Sequence, residues 1–289
     1  MMDLIPEKFY KYRSLDGEAL KRVERTVLHD ELYFGTAESF NDPFDLRAVF
    51  DFEADPAIQR ADFIRRSHDF EPHLSERERN AAADRVMANA LDPANIATTT
   101  MMFQFMHNRM IRSSVGIYCV STVPDDILMW SHYASDHRGI CLEFDGLGAL
   151  MAQAQRVRYV LERPSINPYA GEPERRMECA LLTKAKPWEY EAEWRIVSED
   201  GPGPVRFGPA ELTGIIIGAA APQATVDTVR KWCAQRSLPL RIMRAQVDAR
   251  SFKLNLLADA RQRPAGAIPT GPDADDNRPG GGGDLCIRK

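Results

Sequence analysis

Residues 9–13, FYKYR, alternate aromatic and basic side chains, the period-two pattern of a strand with one packed and one wet face. Phe9 and Tyr10 straddle that phase, so the alternation leaves the strand's orientation open. Asp16 is placed to cap a helix in which Leu20, Val23 and Val27 recur at helical spacing, ending near His29. Residues 31–35 predict a second short strand. FNDPFD at 40–45 then predicts a turn, because Asn41, Asp42 and Pro43 interrupt regular structure. Leu46, Ala48, Phe50 and Phe52 alternate like a further strand.

From about residue 55 to 112 the chain changes character. It becomes rich in Ala, Arg, Glu, Met and Gln with apolar spacing near 3.6, and Pro56, Pro72 and Pro93 mark breaks, which predicts a helical insertion. Residues 115–121, VGIYCVS, form a β-branched and aromatic run that predicts a strand. Asp125 and Asp126 can start a short helix carrying Trp130, His132 and Tyr133. Strands are expected at 139–144, 157–161, 194–198, 212–218 and 240–247, with helices at 172–182 and 225–236. Without a steady βαβ rhythm, this mixture predicts an α+β fold with a mixed, largely antiparallel sheet. From about residue 258 the chain fills with Pro, Gly, Asp and Arg and cannot bury enough apolar surface to offset its ordering entropy. The expected organisation is one α+β domain over 1–257 and a disordered tail over 258–289.

Composition narrows the class more than the function. The 289 residues are 44% hydrophobic and 27% charged, as in a soluble globular protein, and carry a formal charge of −5. That balance argues against duplex nucleic acid as an obligatory partner, although a local positive groove can hide in it. Five widely spaced cysteines without a CxxC pair are neither a disulfide framework nor a zinc ribbon, and fit a reducing cytoplasm. Residues 1–13 lack the apolar core of a signal peptide, and no apolar run approaches the roughly 20 residues that span a bilayer.

The standard phosphate-loop, dinucleotide, zinc-protease and nucleophile-elbow motifs are missing from the sequence. Four polar clusters remain. Lys11 and Arg13 can hold a phosphate or carboxylate, or simply guard an edge strand. Asp42 and Asp45 can orient a substrate or ligate a metal, or serve the turn. In 128–139, LMWSHYASDHRG, Trp130 and Tyr133 offer stacking surfaces beside His132, or form a packed helix face. In 186–195, KPWEYEAEWR, an extended chain would point Glu189, Glu191 and Glu193 to one side, where they want a cation or a sugar hydroxyl. Arg195 is expected to pair with a carboxylate from elsewhere in the chain.

FYKYRS, ELYF, FNDPFD, IYCVS, LMWSHYA, HRGICLEF, KPWEYEAEWR and ELTGIIIGA, in that order over about residues 7–257, resemble a bacterial domain-of-unknown-function family, number twenty-nine seventy-one. The opening of the chain is also similar to that of ADP-ribosyltransferase-fold proteins, whose pattern of Arg, Ser and Glu-x-Glu is met here by Arg13, Ser121 and Glu191-x-Glu193. In the branch that carries His on the first strand, Lys11 stands at the corresponding place.

This second resemblance implies an ADP-ribosyltransferase-like core and an NAD-dependent transferase of toxin or phage-defence type, acting on a nucleic-acid or protein acceptor. It implies no structural metal. Glu193 and Glu191 would be catalytic. Arg13, Lys11, Tyr12, Ser121, Trp130, His132 and Tyr133 would bind NAD, and Asn41, Asp42, Asp45, Trp188 and Arg195 the acceptor side. Two competitors stand beside it. One is a metal-dependent nuclease or hydrolase using Asp42, Asp45, Glu191 and Glu193; the other is a non-catalytic binding module.

Overall fold

The computed structural model describes residues 4–90, 95–170 and 172–259. In chain order it runs β1 (Lys8–Arg13), α1 (Gly17–His29), β2 (Glu31–Phe34), β3 (Val49–Phe50), α2 (Pro56–Phe70), α3 (Glu76–Ala90), α4 (Ile96–Ser114), β4 (Gly116–Ser121), α5 (Ile127–Tyr133) and β5 (Ile140–Asp145). It continues through β6 (Gln155–Arg156), β7 (Arg158–Val160), β8 (Ser165–Ile166), α6 (Pro173–Leu181), β9 (Thr183–Ala185), β10 (Glu193–Ser198), β11 (Gly203–Arg206), β12 (Leu212–Ile217), α7 (Gln223–Gln235), β13 (Arg241–Val247) and β14 (Leu254–Ala258). The expected α+β class holds, and α2 to α4 are the expected helical insertion.

Eight strands form the main sheet in the order β14-β13-β12-β5-β1-β4-β10-β6, antiparallel except between β12 and β13. Alternation along each strand gives the sheet two apolar faces. Phe9, Leu142, Phe144, Ile215 and Ile217 pack with Val23 and Val27 of α1 and Val226, Val229 and Trp232 of α7. Tyr12, Cys141, Ile216 and Met243 point the other way and pack with Met129 and Trp130 of α5. Asp126 caps α5, its carboxylate accepting from the amides of Leu128 and Met129.

The centre of the sheet is forked. β1 pairs with β5 over its whole length but with β4 only at Tyr10↔Ser121. At its other end β4 is bridged to Gly35 through Ile117. Between those points the strands part, and the Lys11 ammonium donates to the Cys119 carbonyl at 2.5 Å, where a neighbouring strand's amide would otherwise stand.

Several local expectations need correction. The alternation at 46–52 yields only the two-residue β3, paired with β8, because Leu46 turns through φ 56° as the chain leaves the FNDPFD turn. The strand expected over 157–161 is present as the three-residue β7, set off from the short β6 before it by Val157, whose amide donates to the Glu193 carbonyl. The Asp16 side chain accepts from Ser135 Oγ and bonds no amide of α1. β14 extends the sheet to Ala258, and Asp259 pairs with Arg230, one or two residues beyond the expected boundary. Pro93 and the tail from residue 260 lie outside the described residues. Among the described residues no helix is long and apolar enough to cross a membrane.

Candidate functional site

The fork between β1 and β4 opens into a cavity of about 410 Å³, within the range of small-molecule sites. Lys11, Tyr12 and Arg13 from β1, Ser121 from β4, Asn41 from the FNDPFD turn, His132 and Tyr133 from α5, and Glu191 and Glu193 all line it. Nine residues singled out from the sequence, scattered over about 180 positions, therefore line one cavity.

The glutamates reach the wall by a route that the sequence pattern hides. Residues Lys186–Glu191 form a 3-10 turn, not an extended segment, with Pro187 presetting the backbone of its first residues. Ala192 then takes the left-handed conformation, φ 43° and ψ 49°, and hands the chain to β10. The expected single row of three carboxylates is thus corrected. Glu189 is exposed and pairs with Lys186 at 2.8 Å, while Glu191 and Glu193 turn inward side by side.

There they meet a buried ion network. Lys184 of β9 contacts the Glu191 carboxylate, Glu193 Oε2 at 3.0 Å and Asp45 Oδ2 at 3.6 Å. Arg195, fully buried, donates to Glu193 through Nε at 2.8 Å and Nη2 at 3.1 Å, and to Asp45 at 2.7 Å. Arg195 thereby finds its distant carboxylate, as expected. Tyr133 donates its hydroxyl to Glu191 Oε1 at 2.6 Å, and Asn41 reaches that hydroxyl at 3.3 Å.

The two glutamates respond differently. Burial raises the proton affinity of both, but Arg195 and Lys184 together hold the Glu193 carboxyl well below the usual carboxylate range. In Glu191 burial wins, with Glu193 adding to it, so its carboxyl is raised despite Lys184. Burial opposes the charged form of Lys184 as well, yet Glu193, Glu191 and Asp45 together raise it. Cys119 lies against Glu193, and burial followed by that charge pushes its thiol up to about 12, so it stays protonated.

The flank of the cavity formed by β1 and α1 is cationic. Lys11, Arg13 and Arg22 line it, with the Lys11 ammonium 5.0 Å and the Arg13 guanidinium 6.0 Å from the Tyr118 ring centre, and Arg22 4.1 Å from that of Tyr33. Burial, then the neighbouring Arg13, lowers Lys11 to about 8. The cavity is dipolar, cations on one flank and carboxylates on the other.

Five residues singled out from the sequence are elsewhere. Trp130 is fully buried, edge-on to Tyr12, with its indole nitrogen donating to the Pro124 carbonyl, so it offers no stacking face. Asp42, Asp45 and Arg195 are buried behind the wall: Asp42 accepts the Phe44 amide within the turn, and the other two form the ion network. Trp188 stands behind Lys184, whose ammonium is 5.2 Å from its ring centre, and forms an aromatic group with His132 and Tyr190. Lys184, Arg22, Tyr33 and Tyr118 line the cavity as well and fall outside the four polar clusters of the sequence. A lysine set in the apolar run ALLTKA was the available signal for the first.

Residues 129–196 match the model of a family described as Protein of unknown function (DUF2971). Over this segment the chain is similar to that family. The matched segment runs from α5 to β10 and so contains His132, Tyr133, Lys184, Glu191, Glu193 and Arg195, the carboxylate flank and its network. The cationic flank on β1 and α1 lies before it. No curated protein and no solved structure matches the chain.

Proposed function

We propose that the cavity is an NAD site and the protein an ADP-ribosyltransferase-like enzyme. The observation that carries this reading is the meeting of Arg13, Ser121 and Glu193, on the neighbouring strands β1, β4 and β10, at one cavity. Ser121 and Glu193 are direct register partners, and Ser121 is paired across the fork with Tyr10. The dipolar wall adds to it, since NAD carries a diphosphate at its centre and a positive nicotinamide at one end.

In this reading Arg13 and Lys11 hold the diphosphate, Arg13 by its forked donors and Lys11 as a point charge. His132 and Tyr133 bound the nicotinamide side. The glutamates face the ribose, hydrogen-bonding its hydroxyls and stabilising the positive oxocarbenium character that develops as the bond from C1′ to nicotinamide breaks. A nucleophile on the acceptor then bonds to C1′, losing its proton, and nicotinamide departs as the neutral leaving group. Ser121 works indirectly: its hydroxyl donates to the Glu191 carbonyl at 2.7 Å and fixes the turn that carries the glutamates.

Metal-dependent hydrolysis is less well supported because Asp45, Glu191 and Glu193 already surround an ammonium and a guanidinium, which a metal would have to displace.

The test is incubation of the protein with labelled NAD and mixed RNA, DNA and protein acceptors, following nicotinamide release and label transfer. The expected result is transfer that persists with a chelator and is lost in a folded Glu193→Gln variant. Unchanged transfer in that variant, or activity that needs magnesium or manganese, would overturn the assignment.

A further inference from the structure

Among the described ionisable groups that line the cavity, Lys184 is the one that touches both glutamates. It sits on β9 with its side chain 5% exposed, seven residues before Glu191, and its ammonium lies between the two carboxylates. Of the three carboxylates, Arg195 pairs with Glu193 and Asp45. The network therefore holds three carboxylates against two cations. The distribution is uneven: Glu193 accepts three bonds from charged donors, whereas Glu191 accepts one from Lys184 and one from the neutral Tyr133 hydroxyl. Of the two glutamates, Glu191 is therefore the less compensated.

We propose that Lys184 is a positioning residue of the site: it clamps Glu191 beside Glu193 and keeps Glu191 ionised, so that Glu191 is the carboxylate with charge to spare for a ligand. Glu193, saturated by Lys184 and Arg195, then serves chiefly as the anchor of the clamp. The role of the ligand rests on the NAD reading above; the clamp itself does not.

The groups that face Glu191 are Tyr133 from α5, Lys184 from β9 and Glu193 from β10, with Lys11 from β1 acting on it at longer range and Tyr190 adjacent in the chain. Lys184 is the cation in contact, and an opposite charge within about 4 to 6 Å typically shifts a carboxyl by one to three pH units. Removing it leaves burial and Glu193, both of which favour the protonated acid, opposed in direct contact by the Tyr133 hydrogen bond.

The experiment is carboxyl NMR on the full chain labelled at glutamate side chains, with the Glu191 resonance identified by its loss in Glu191→Gln. Expected is a Glu191 midpoint about one pH unit or more higher in Lys184→Met and restored by Lys184→Arg. A folded Lys184→Met with an unchanged midpoint overturns the proposal. If Lys184→Met fails to fold, melting temperatures at neutral pH decide. Glu191→Gln melting at or above the unsubstituted protein, with Glu193→Gln well below it, supports the clamp; equal losses from both overturn it. NAD binding is measured separately by calorimetry. A shifted midpoint in a protein that binds no NAD retains the clamp and rejects the NAD reading, whereas NAD binding with an unmoved midpoint does the reverse.

Discussion

Lys11 is held in two conflicting ways. Its ammonium fills a vacant hydrogen-bond position on β4 and lies near the Tyr118 ring, while burial and Arg13 both act against its charge. With a folded value of about 8 against an ordinary 10.5, the native state binds fewer protons than the unfolded chain between those limits. Its contribution to stability is therefore unfavourable below about pH 8 and fades as pH rises through that window. An anionic ligand on the cationic flank reverses the conflict by favouring the charged amine. Binding of NAD or ADP-ribose is expected to take up a fraction of a proton near pH 8 and to weaken by pH 9.5. Calorimetry in two buffers of different ionisation enthalpy reads both effects, and Lys11→Met should abolish the proton uptake. Tyr118, pushed up to about 12 by burial, stays neutral throughout that range and leaves the effect to Lys11.

At the scale of the elements, the hinge of the site is Ala192. A left-handed backbone costs a residue with a Cβ roughly 1 to 2 kcal/mol, and the cost persists here because the Ala192 amide donates to Glu189 and its carbonyl accepts from Thr122. Glycine removes that penalty and a β-branched residue enlarges it. Ala192→Gly is expected to melt no lower than the unsubstituted protein, and Ala192→Val several degrees lower, by calorimetric scanning. The same residue explains what could be read from the sequence. Strands such as β4, β5 and β12 are legible because their apolar runs have a single good burial solution, and α1 and α7 because their apolar positions recur at helical spacing. EYEAEW satisfies a period of two equally well, and alanine gives no compositional hint of a left-handed turn, so the 3-10 turn before β10 reads from the sequence as an extended segment. Arg13, Ser121 and Glu193 line one cavity because β1, β4 and β10 are neighbours in the sheet, an order that local periodicity does not reveal. The burial of Trp130 and Asp45 was not, because aromatic and acidic residues in turns and short helices look alike whether they face a cavity or the core.

For the whole molecule, the fork in the sheet has a mechanical meaning. On one side of it β14, β13, β12, β5 and β1 form a continuously paired plate; on the other, β4, β10 and β6 form a second. A single residue pair, Tyr10↔Ser121, stitches the plates along the sheet, helped by the Lys11 contact and by side-chain packing. A sheet joined this way bends most easily at its seam, and opening there breaks few backbone hydrogen bonds. Anything seated in the cavity touches both plates and stiffens the joint. Amide deuterium exchange should accordingly be faster at residues 117–121 of β4 than at β5 or β12, and should slow there when NAD is bound. Unchanged exchange at β4 under saturating ligand would place the ligand away from the seam. Slowed exchange would instead make the sheet's most thinly paired line coincide with the binding cleft, so that occupancy and rigidity rise together.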